Sequence, residues 1–138
     1  MAGYSGTPLV NKLGIKDGAR LALFGEPGGF QELLAPLPAG VEIRRNPRSG
    51  VFDVIVFFAK REAGLTGSLP RLMTRMKPAC GLWIAWPKKA SGVETDVTED
   101  FVRDLALDAG LVDNKVCAID QTWSGLRLVI RLKDRRVK

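Results

Sequence analysis

Two stretches, Asp53-Val54-Ile55-Val56-Phe57-Phe58-Ala59 and Gly81-Leu82-Trp83-Ile84-Ala85-Trp86, carry no polar side chain after their first position. A strand with one wetted face alternates apolar and polar residues. These two do not, so both of their faces must be covered, as in the central strands of a parallel sheet. Between them Leu69, Leu72, Met73 and Met76 recur at helical spacing while Arg71 and Arg75 fall on the opposite face. This predicts a helix with Pro70 in its first turn, ended by Lys77-Pro78. A strand, a helix and a second buried strand make a right-handed crossover unit. With 138 residues, 46% of them apolar, the chain can build one such core and not two.

The flanking segments extend the pattern. Leu21, Leu23 and Phe24 read as a strand that runs into Gly25-Glu26-Pro27-Gly28-Gly29, a turn needing glycine's conformational range. Phe30, Leu33, Leu34 and Leu37 then follow one helical face as far as Pro36 and Pro38, and Val41 with Ile43 reads as a half-exposed strand near an edge. Asp96 or Thr98 can cap a helix with Glu99 and Asp100 in its first turn, a buried stripe from Phe101 to Ala109, and Gly110 as its terminator. A strand over residues 115–120 comes next. The last strand, with Leu126, Leu128, Ile130 and Leu132 on one face, reads as antiparallel to it. The expectation is a single α/β domain over residues 1–138, three-layered and Rossmann-like, with a mainly parallel sheet of about six strands. Residues 1–18 form a leader that drapes over the sheet, and residues 133–138 a basic tail.

Composition closes off much chemistry. Histidine is absent, which removes the commonest general base, the Ser-His and Cys-His pairs and imidazole zinc sites. Cys80 and Cys117 lack CxxC spacing and read as reduced core residues of a cytoplasmic protein. Neither a signal peptide nor a spanning segment is evident. No metal site is expected, because Asp96, Glu99 and Asp100 are accounted for as helix-start residues. The net charge of +6 is concentrated toward the end of the chain, where Arg127, Arg131, Lys133, Arg135, Arg136 and Lys138 face one acid, Asp134. Such an excess favours anionic partners or a solvated terminus.

In open parallel sheets, ligands bind beyond the carboxyl ends of the strands. That rule gathers Glu26, Gly28 and Gly29 after the first strand, Lys60 after the Val54 strand, Lys88, Lys89 and Ser91 after the Trp83 strand, and Asp120 with Trp123 at the final turn. Lys88 and Lys89 could present ammonium groups to a phosphate or carboxylate, Ser91 adding a donor. Trp123 could stack on a ring, with Asp120 as an acceptor, or lie as a lid over the sheet edge. No catalytic residue stands out.

The order Asp53-Val-Ile-Val-Phe-Phe, helix, Met76-Lys77-Pro78-Ala79-Cys80-Gly81, strand, capped helix, Gly110-Leu111-Val112 and terminal strand pair resembles the second half of class I S-adenosylmethionine-dependent methyltransferases. Nearly the whole chain is similar to the bacterial domain-of-unknown-function family three-zero-five-two. The similarity lies in Thr7-Pro8-Leu9, Lys12-Leu13-Gly14-Ile15, Trp86-Pro87-Lys88-Lys89, Ser91-Gly92, Lys115-Val116-Cys117-Ala118 and Trp123-Ser124-Gly125-Leu126. The resemblance implies a Rossmann-like fold without a catalytic assignment. Against the methyltransferase pattern, Phe24-Gly25-Glu26-Pro27-Gly28-Gly29 lacks the GxGxG order, and Arg44-Arg45-Asn46 stands where a ribose-binding acid belongs.

Three functions fit these features. The first is a non-catalytic binding domain, open to self-association, that takes an anionic metabolite or a protein partner at the basic lip without a cofactor. The second is a reduced methyltransferase using S-adenosylmethionine. The third is a nonspecific nucleic-acid binder working through Arg127, Arg131, Arg135 and Arg136.

Overall fold

The computed structural model describes residues 7–135. The six strands are β1 (Arg20–Phe24), β2 (Glu42–Arg45), β3 (Phe52–Phe58), β4 (Met76–Pro87), β5 (Leu111–Ala118) and β6 (Trp123–Ile130). They form one sheet in the order β2-β1-β3-β4-β6-β5. β1 runs parallel to β2 and β3, and β3 parallel to β4, whereas β6 is antiparallel to both β4 and β5. The two apolar runs therefore lie side by side and point the same way, with Phe57 opposite Ile84 and Phe58 opposite Ala85. The expected edge strand is β2, and the last strand is antiparallel as its alternation implied.

Strand alternation divides the apolar runs between the two faces of the one sheet. Ile55, Leu82, Ile84 and Trp86 face α3 (Glu62–Thr74) and α4 (Glu99–Asp108). Val54, Val56, Phe58, Trp83 and Ala85 face the opposite layer, built from α1 (Leu9–Lys12), the loop after it and α2 (Phe30–Leu33). These two helices have only four residues each, so much of the second face is closed by the leader, whose Val10, Leu13 and Ile15 are buried. The buried Trp83 indole donates to the Leu13 carbonyl at 3.1 Å and fixes that cover to the centre of the sheet. Gly125 makes room for the arrangement, since a Cβ there would lie 3.1 Å from both Trp83 and Ile119.

Several boundaries differ from the sequence expectation. α3 begins at Glu62, so Pro70 sits deep inside it rather than in its first turn. Burial of Leu65, Leu69 and Leu72 holds the helix together despite the missing N–H. Met76 and Lys77-Pro78 belong to β4, the strand starting where the helix was expected to end. α2 stops at Leu33, short of the two prolines, and Leu33 and Leu37 are exposed where a buried stripe was expected. β5 starts at Leu111 and β6 already at Trp123; Leu132 lies beyond β6, exposed in a short 3-10 turn. Thr98 caps α4 by accepting from the Phe101 N–H, whereas Asp96 accepts from the Glu62 N–H at the start of α3. Among the described residues no helix is long and apolar enough to cross a membrane.

Candidate functional site

Parallel registry brings the predicted lip to one edge. β1, β3 and β4 end together there, and β6 starts there because Trp123 pairs with Pro87. The switch point of the sheet lies at β1 and β3, where chain order departs in opposite directions. Gly25 succeeds β1 at φ 70° and lies close to the Phe58 carbonyl, which a Cβ would approach to 3.4 Å. Gly28 and Gly29 border open space, so a ligand could approach their backbone.

Glu26 is the acid of this crevice. Its side chain is 6% exposed, and one carboxylate oxygen accepts from Arg45 Nε at 2.6 Å. Arg45 ends β2, where the methyltransferase pattern would have an acid, and it reaches back to Glu26 across the β1–β2 edge. Sequence spacing could not reveal this pair, because it joins residues 19 apart that meet only when the two strands lie in register.

The other candidates divide by what they already do. Lys60 and Lys89 are exposed and Lys88 is half-buried. The Lys60 carbonyl accepts from the Thr95 hydroxyl and the Asp96 N–H, so the loop after β4 packs over the end of β3. Ser91 closes its own turn, donating to the Lys88 carbonyl and accepting from the Val93 N–H. Asp120 likewise holds the β5–β6 turn, accepting from the N–H groups of Thr122 and Trp123. Trp123 lies as a lid on the sheet rather than as an open stacking platform: it is 7% exposed, with its ring edge-on to Phe58 at 5.0 Å, and Phe58 in turn meets Phe30. These aromatics fill the core below the lip.

The cations grouped for nucleic acid lie at the other pole. β6 runs back to the amino edge, so Arg127, Arg131 and Arg135 emerge opposite Lys88; Arg136 lies outside the described residues. Arg127 is partly buried, Arg135 donates to the Ile130 carbonyl, and the Nε of Arg131 is buried without a partner among the described residues. At this edge also opens a cavity of about 840 Å³ that residue spacing does not foretell, because the strand-end rule looks only beyond carboxyl ends.

No family model and no curated protein matches the chain. Solved structures do match in fold. The DhpI complex with S-adenosylhomocysteine gives a TM-score of 0.64 at 9% identity, covering 91% of this chain and 83% of that one. A SAM-dependent methyltransferase from Aquifex aeolicus gives 0.57 at 16%, covering 89% and 88%. Magnesium protoporphyrin IX methyltransferase from Synechocystis with bound S-adenosylhomocysteine gives 0.56 at 12%, covering 89% and 78%. The chain therefore has the Rossmann-like fold of S-adenosylmethionine-dependent methyltransferases.

Proposed function

We propose that this chain is a small methyltransferase-like domain that binds a cofactor of the S-adenosylmethionine class at the switch point between β1 and β3. The observation that carries this reading is the near-buried Glu26 carboxylate in the glycine turn. Arg45 occupies one of its oxygens, leaving the other for a hydroxyl or ammonium donor. The fit has a gap at the end of β2, where Arg44 and Arg45 offer no acceptor for ribose. Glu26 is the acid that remains for that role, and the open backbone at Gly28 and Gly29 leaves room beside it. When bound, the cofactor supplies an electrophilic methyl group; these residues supply its position.

The charge of the rim makes the reading testable. Lys60, Lys88 and Lys89, which make no ion pair among the described residues, repel a sulfonium, so uncharged-sulfur S-adenosylhomocysteine should bind more tightly than S-adenosylmethionine. Titration calorimetry should give dissociation constants of about micromolar order. Glu26→Gln should weaken both by about tenfold or more. Absence of heat at about 1 mM of either compound would refute cofactor binding.

A second reading, non-catalytic recognition of an anionic metabolite or protein, is favoured by one observation. Lys60, Lys88 and Lys89 make no ion pair among the described residues. Replacing Lys88 and Lys89 with Ala should then abolish anion binding at the lip with the melting temperature almost unchanged. Unaltered affinity rejects this reading.

A further inference from the structure

The cavity at the amino edge is walled by segments far apart in sequence. Lys12 and Lys16 come from the leader, Lys77 from the start of β4, Lys115 from β5 and Arg127 from β6. Two carboxylates, Asp17 and Asp53, share the walls. Asp53 is committed, pairing with Lys77 Nζ at 3.1 Å and accepting from the Arg20 N–H at 2.8 Å. Among the described residues five cations and two acids line this space, and with Lys77 paired to Asp53 the walls still hold more cations than acids. Lys115 Nζ also donates to the Lys12 carbonyl at 3.1 Å and ties the leader wall to the β5 wall.

Arg127 is the built element of this wall. Its side chain lies over Gly81, where a Cβ would come within 2.5 Å of Nε, so a larger residue at position 81 would displace the guanidinium. It donates to the Asn114 amide oxygen at 3.2 Å and has no carboxylate partner among the described residues. Burial pulls its pKa below the ordinary arginine value, and the nearby Arg135 charge acts in the same direction. A half-buried guanidinium held without a counter-charge gains from an anion able to use its forked donors.

The walls also select the body of the ligand. Among the described residues no aromatic side chain lines the cavity, so a nucleobase meets no ring there to stack on. Asn11, Asn114 and Asp17 offer hydrogen bonds suited to hydroxyl groups. The volume, about 840 Å³, is far more than one phosphate fills. We infer that the amino-edge cavity, with Arg127 laid over Gly81 and four lysines around it, is a binding site for a phosphorylated polyol carrying more than one phosphate group. It is separate from the cofactor crevice proposed at the carboxyl edge.

Titration calorimetry on the full chain, with fructose 1,6-bisphosphate, AMP, pyrophosphate and a short DNA duplex in parallel, tests this site. The bisphosphate should bind, pyrophosphate more weakly and AMP weakest. Arg127→Met, which keeps a long side chain over Gly81, should weaken bisphosphate binding by about tenfold or more. Lys16→Ala, at an exposed position, should weaken it by a smaller factor with the melting temperature unchanged. Gly81→Ala should also lower affinity, because it displaces the guanidinium while keeping its charge. The inference is overturned if the bisphosphate gives no heat at about 10 mM, if its affinity is the same in Arg127→Met and Lys16→Ala, or if only DNA or AMP binds.

Discussion

Single positions in this sheet are set by neighbours distant in the chain, and Cys80 shows how far that reaches into its chemistry. The thiol is buried, and burial, with the Asp53 carboxylate adding to it, pushes its pKa from an ordinary 9.0 up to about 12. In the folded protein it stays protonated and inert, whereas in the unfolded chain it ionises near pH 9. The stability it contributes is therefore complete below pH 9 and is lost as pH rises from there toward 12, by about 1.4 kcal/mol per unit at most. Urea unfolding of Cys80→Ala against the parent chain should show a shallower alkaline decline in the variant. Equal declines would remove the thiol from the account. Composition marked Cys80 as a core residue, but the reason for glycine at 81 and 125 lay in Arg127, Trp83 and Ile119, which sequence spacing does not connect to them.

Among elements, the doubly covered strands were legible because burial on both faces leaves a local trace in the sequence. The helix joining them was placed less well. Gly64 and Gly67 weaken the helical signal of the first half of α3, and Pro70 suggested a start that the buried Leu65 contradicts. Caps were read correctly in kind at Thr98, while Asp96 serves a helix 34 residues earlier, a partner no local window contains. A leader draped over the sheet was expected, but not which of its residues would be sealed, because only tertiary contact turns residues 9–15 into a cover. Leu13→Ala should cost about 2–5 kcal/mol in urea unfolding, and Trp83→Phe, which keeps an aromatic ring but drops the N–H donor, about 1 kcal/mol. A loss under a few tenths of a kcal/mol for Leu13→Ala would mean that the leader contributes little to the fold.

At the scale of the whole molecule, one reversed strand gives the protein two unlike basic poles. The lip around Lys60 and Lys88 was legible once the parallel pairing of β3 and β4 was inferred, since parallel strands must deliver their trailing loops to one edge. The cavity at the other edge was not, because it needs β6 to carry Arg127 back beside a leader more than a hundred residues away. The separation has a measurable outcome. Saturating S-adenosylhomocysteine should leave the dissociation constant of fructose 1,6-bisphosphate unchanged, and mutual exclusion in calorimetry would place both ligands in one site.

The bond from the Trp83 indole to the Leu13 carbonyl also fixes an order of events during synthesis. Residues 9–15 are made before β4 and β6, so their docking surface is incomplete until both strands have followed. Until then Val10, Leu13 and Ile15 have no finished sheet to cover. A segment made before the strands it packs on is thus sealed only after them, and its apolar side chains stay uncovered in the interval.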